Sequence, residues 1–96
     1  MVGTTWEISE ENRKLFGDDY LVLKAVEECA ELAKELMHFR DGKSQRWEVA
    51  EELADVLIIA NSIARIVGPD EVMKAIRLKE GKLLKRIAKK KKEVKK

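Results

Sequence analysis

The chain is 96 residues long, 45% hydrophobic and 40% charged with a single Pro, a profile that fits one all-helical domain. Its 20 basic residues nearly balance 18 acidic ones to leave +2, which argues against nucleic-acid binding through a whole-domain field. No apolar run of about eighteen residues and no basic-then-apolar leader is present, so neither a membrane span nor a secretory signal is expected and the reading is a cytoplasmic protein.

In chain order, Ser9 is placed to cap a short helix ending near Gly17, and Asp18 or Asp19 to cap a first long helix over about Tyr20 to Phe39. On that helix Lys24, Glu27, Glu28, Glu31, Lys34, Glu35 and His38 share an arc of roughly 120°, opposite Val22, Ala25, Val26, Cys29, Ala33, Leu36 and Met37. Lys24 with Glu28, and Glu31 with Lys34, are spaced for ordinary ion pairs on a solvated face. With one cysteine no intrachain disulfide forms, and Cys29 is expected as a buried core thiol.

The segment DGKSQR follows with Gly42 as the stop, and a second long helix runs from about Gln45 to Val67. Within it residues 51 to 60 read EELADVLIIA, and Leu53, Val56, Leu57, Ile58, Ile59 and Ala60 cover nearly the whole circumference. That helix is therefore expected to be buried on most faces, with Asp55 withdrawn from water between Ile58 and Ile59. An ionised carboxylate so placed costs several kcal/mol unless a cation or donors replace the solvent.

Glu52 and Asp55 repeat the i, i+3 spacing of Glu28 and Glu31, which puts each pair on one helical face. Two such helices packed antiparallel gather four carboxylates that repel one another unless divalent cations lie between them. Hard cations suit such oxygen ligands, Mg²⁺ first with Mn²⁺ able to substitute, and their retained waters leave room for a phosphate-bearing substrate.

Gly68 and Pro69 end the second long helix and begin a third, with Asp70 and Glu71 suited to its first turn. Val72, Met73, Ile76, Leu83 and Ile87 form its apolar stripe, and Lys79, Lys82, Arg86 and Lys89 run along the flank as cations for phosphates. The block KKKKEVKK at 89–96 is expected to fray as a lysine-rich tail beyond a single domain of residues 1–88. Three helices and a short N-terminal segment do not cover a helix that is apolar all round, so an obligate homodimer is expected.

A lone His38 builds no Ser/His/Asp constellation, and five scattered glycines make no phosphate loop, which favours metal-assisted hydrolysis over the main alternatives. A nucleobase has four aromatic candidates to stack on, Trp6, Phe16, Phe39 and Trp47. Trp47, one turn before the second acidic motif, is preferred.

EECAEL, about twenty residues, EELADVLI, then ARIVG and a basic third helix resemble the MazG-like, all-α nucleoside triphosphate pyrophosphohydrolases over about residues 20–87. The resemblance implies a helical bundle assembled as a dimer or a dimer of dimers, with Mg²⁺-dependent cleavage between the α and β phosphates to a monophosphate and pyrophosphate. Position by position, Glu28, Glu31, Glu52 and Asp55 match the metal-binding carboxylates, and Glu27 matches a glutamate that positions or deprotonates the water. Lys82 and Arg86 fall where the family has basic residues near the phosphates, while Lys24, Lys79 and Trp47 complete the expected substrate contacts.

Glu80 stands where some relatives carry an asparagine, so a phosphate or sugar contact is in doubt. ADVLIIAN in place of an ADLLYH-like motif ranks phosphoribosyl-ATP pyrophosphohydrolase activity second. A dimeric helical interaction module, indifferent to magnesium, is the non-enzymatic alternative.

Overall fold

A computed structural model describes residues 3–95, and every regular element among them is an α-helix. The helices are α1 (Gly3–Phe16), α2 (Asp18–Arg40), α3 (Arg46–Val67) and α4 (Pro69–Val94). The chain divides into two compact units, Met1–Ile66 and Val67–Lys96, so that α1, α2 and nearly all of α3 pack as one body and α4 forms the other.

The breaks between helices follow local chemistry. Gly17 joins α1 to α2 at φ 84°, a left-handed conformation that residues with a Cβ adopt at a cost. Gly68 at φ 109° with Pro69 in the first turn separates α3 from α4, as the sequence predicts. At the start of α3 the Glu48 carboxylate accepts a hydrogen bond from the Gln45 backbone N–H at 2.9 Å, half of a capping box.

Several expectations change. Ser9 does not begin a helix: it lies buried inside α1, and its hydroxyl donates to the Trp6 carbonyl one turn back. Asp18 makes no capping hydrogen bond; it opens α2 and pairs with Arg13, whose Nε lies 2.8 Å from Oδ1. The lysine block is helical in this structure, where α4 continues to Val94.

The larger change is which way α2 faces. Part of its acidic arc looks inward: Glu28 is buried and Lys24, Glu35 and His38 are half-buried, while Glu27, Glu31 and Lys34 remain exposed. Its apolar arc looks outward, with Val22, Val26, Cys29, Leu36 and Met37 exposed, so Cys29 is not a core thiol. On α3 only Ile59, Asn61 and Ser62 are buried; Leu57 and Ile58 each remain 45% exposed, and Asp55 is exposed rather than withdrawn from water. Two neighbours within the unit cannot cover a helix that is apolar all round, so part of its surface stays open.

Leu21 and Ile59 are the buried apolar side chains among the described residues, and a polar knot supplements this small core. The Arg65 guanidinium lies 3.8 Å from the centroid of the Trp6 ring, donates from Nε to the Ser9 hydroxyl at 2.6 Å, and donates from Nη2 to the Trp6 carbonyl at 2.8 Å. Arg13 returns the contact by donating from Nη1 to the Arg65 carbonyl at 3.3 Å. These bonds tie α1 to the C-terminal half of α3.

Candidate active site

The inward face of α2 meets α3 at three carboxylates. Oxygens of Glu28, Glu31 and Glu52 lie within 4.8 Å of one another, bringing a pair from the first acidic motif against a member of the second. Glu28 is only 8% exposed. Its Oε2 and the Oε2 of Glu52 are both buried without a hydrogen-bond partner. Two donor-starved carboxylate oxygens in a small volume repel each other, and an unpaired buried polar atom carries the full cost of its lost hydration.

The field at Glu52 registers this crowding. Burial first, then the charges of Glu31, Asp55, Glu28 and Glu35, push its carboxyl above the ordinary carboxylate range. The compensating cation in the chain itself is Lys24, whose ammonium lies 3.3 Å from Glu28 Oε1 and 3.5 Å from Glu27 Oε1. The hydrogen bond to Glu28 and the charge of Glu27 raise the Lys24 pKa in return. The ordinary i, i+4 pair suggested by the sequence therefore forms, while no ion pair links Glu31 to Lys34 among the described residues.

Asp55 stands beside this trio rather than within it. It lines a cleft of about 220 Å³ with Lys24 and Glu28, and acts on Glu52 through its charge. Glu27 is more than half exposed and faces Lys24. Glu35, expected on a solvated face, accepts a hydrogen bond from the Ser44 hydroxyl at 2.9 Å and adds its charge to the field on Glu52. Its position one turn beyond Glu31 was the available signal.

Trp47 is 62% exposed and is not part of the cleft wall. Phe16 and Tyr20 are, stacked with centroids 5.1 Å apart at an interplanar angle of 24°. Lys79, Lys82 and Arg86 are exposed on α4, where they share a groove with Val72, Ile76 and Leu83.

The family model for the MazG nucleotide pyrophosphohydrolase domain matches residues 16–95. The chain belongs to that family. The MazG match takes in both acidic motifs and α4 and leaves out all of α1 except Phe16. No curated protein and no solved structure was found to match the chain. Membership places the MazG chain among hydrolases acting on nucleotides, and no helix of the described residues is long and apolar enough to cross a membrane.

The carboxylate cluster fits the metal that MazG domains typically use. An all-oxygen donor set with two buried, unpartnered oxygens suits a hard divalent cation, whereas a nitrogen- or sulfur-preferring ion finds neither His nor Cys among the three clustered residues.

Proposed function

We propose that the protein is a Mg²⁺-dependent nucleoside triphosphate pyrophosphohydrolase, cleaving between the α and β phosphates and working in the cytoplasmic nucleotide pool. The observation that carries this reading is the pair of buried, unpartnered oxygens on Glu28 and Glu52 within a three-carboxylate cluster. Glu28, Glu31, Glu52 and Asp55 are the residues that would hold the metal, with Mn²⁺ a possible substitute. When bound, the divalent ion supplies charge neutralisation for the polyphosphate and makes water more acidic.

The chain's own groups do the rest. Lys24 sits within reach of Glu27 and Glu28 and offers an ammonium to a phosphate oxygen. Glu27, largely in solvent, is the carboxylate in this reading that orients the attacking water and accepts its proton. Lys79, Lys82 and Arg86, at i, i+3 and i+7 on α4, share one helical face and provide the cations that the departing pyrophosphate requires. No covalent intermediate is needed, because positioning and charge stabilisation account for most catalysis of phosphoryl chemistry.

The same reading includes a homodimer, or a dimer of dimers. The outward apolar arc of α2 and the open flank of α3 are faces that a second copy covers, in the manner of an obligate interface resembling a domain core cut in half.

The deciding experiment is pyrophosphate release from a panel of ribo- and deoxyribonucleoside triphosphates and phosphoribosyl-ATP, with Mg²⁺ and then with chelator. Metal-dependent release that disappears in Asp55→Asn supports the proposal and names the substrate. Silence from a folded protein across the panel overturns it in favour of a binding module.

A further inference from the structure

We propose that the cleft walled by α1, α2 and α3 holds the base of the nucleotide, with Phe16 and Tyr20 as the stacking surface and the Asn12 amide reading the base edge. This assignment rests on the nucleotide pyrophosphohydrolase reading and adds to it the part of the chain that chooses among nucleotides.

The cleft joins two chemistries. Lys24, Glu28 and Asp55 contribute charge to its wall, and Asn12, Phe16 and Tyr20 contribute an amide and two rings, over a floor that includes the buried Leu21 and Ile59. Tyr20, Lys24 and Glu28 follow one another at i, i+4 and i+8, so a single stripe of α2 carries aromatic, cation and carboxylate in that order. Eight residues of helix advance about 12 Å, comparable to the distance from a base to its β-phosphate in an extended nucleotide. A ligand with its phosphates at the carboxylates has its base beside the rings.

Size points the same way. About 220 Å³ is below the roughly 300–1,000 Å³ of pockets that swallow a drug-sized ligand, and suits one flat ring system whose remainder extends outside. Phe16 and Tyr20 stack on each other yet remain 55% and 50% exposed, so ring surface is left for a third partner. Stacking tolerates every base, since each has a π-face. Discrimination then falls to Asn12, whose side chain offers a donor and an acceptor side by side, matching the adjacent donor and acceptor along a base edge.

Two further observations mark α1 as a specificity element. All of it but Phe16 lies outside the family match, which begins at residue 16, so Asn12 is not within the matched segment. It is also held firmly: the Arg65 guanidinium on the Trp6 ring and its bonds to Ser9 and the Trp6 carbonyl fix α1 against α3 before any ligand arrives. A reading group on a fixed helix selects more sharply than one that must be ordered by each ligand.

The test compares the native chain with Asn12→Ala, Asn12→Asp and Phe16→Ala, measuring kcat and KM for pyrophosphate release from the nucleoside triphosphate panel in Mg²⁺. The matching nucleoside monophosphates are titrated calorimetrically alongside. Asn12→Ala is expected to raise KM for the preferred nucleotide about tenfold, with the loss falling on KM rather than kcat, and to flatten the preference among bases. Asn12→Asp, which exchanges the donor for a second acceptor, is expected to reorder that preference, and the monophosphate affinities are expected to move in parallel.

An unchanged base ranking in both Asn12 variants, with native-like thermal melts, overturns the assignment. If Phe16→Ala fails to fold, the two Asn12 variants decide alone, because Asn12 sits at the half-exposed surface of α1. Absence of turnover in the native chain would instead strike the hydrolase reading, and the monophosphate titration separates the two failures.

Discussion

The two faces of α2 reverse the usual arrangement. Its inner face carries Lys24, Glu28 and Glu35 beside the buried Leu21 and half-buried Leu32, while its outer face presents Val22, Val26, Leu36 and Met37 to solvent. A single chain that buried apolar surface for stability alone would turn this helix the other way. The inward carboxylates carry a mutual repulsion that apolar packing does not offset, and the outward apolar arc stays open within the chain.

The largest expected effect tests the inner face. Glu31→Gln or Asp55→Asn should reduce turnover by roughly 10²–10³-fold, as removal of other charge-stabilising groups does. In chelator the same variants should melt at or above the native temperature, because each relieves repulsion around Glu52. A variant that loses activity and metal-free stability together would mean that the carboxylates hold the fold rather than the ion.

Next comes the outer face. Val26, 63% exposed, and Leu57, 45% exposed, are to be changed to glutamate and the assembly followed by sedimentation equilibrium. Each substitution should weaken self-association by at least about 2 kcal/mol, the scale of one buried aliphatic side chain. A native chain that sediments as a monomer would erase the contrast at its root.

The knot between α1 and α3 is smaller in effect. Arg65→Ala removes the stack on Trp6 and the bond to Ser9 and should cost about 1–3 kcal/mol in chemical denaturation.

Smallest is the response to pH, where two groups pull in opposite directions. Glu52 has its folded pKa raised, so its contribution is fully present below the unfolded carboxylate value and is lost as pH rises through the folded one. Asp18 has its pKa lowered by the hydrogen bond from Arg13, so its contribution is present above the unfolded value and is lost as pH falls through the folded one. Thermal melts in chelator should show the first slope vanish in Glu52→Gln and the second in Asp18→Asn.

The sequence disclosed faces but not their directions. The i, i+3 spacing put Glu28 with Glu31 on one arc, and packing brings Glu52 to them because α2 and α3 meet along those arcs. A helical pattern says which residues share a side and assumes that the apolar side is inward. That assumption places Cys29 in the core and Asp55 out of water, and it fails where carboxylates claim the interior.

Ser9 was misread for a different reason. Its partner Arg65 is 56 residues away, and local capping rules have no access to such a contact. Trp47 is preferred for its nearness along the chain to the second acidic motif, but it is largely exposed and does not line the cleft that Phe16 and Tyr20 share. Helix ends were legible wherever glycine or proline dictated them, at Gly17, Gly42 and Gly68 with Pro69.

The Lys24 ammonium rests on one oxygen of Glu28 while the other has no hydrogen-bond partner, so a divalent ion held there would exchange with a tethered amine rather than fill a void. The tethered amine offsets part of the carboxylates' charge without an ion and would compete with any ion that replaced it. An amine displaced by such an ion would stand beside an incoming polyphosphate, which would couple loading to the readiness to receive substrate.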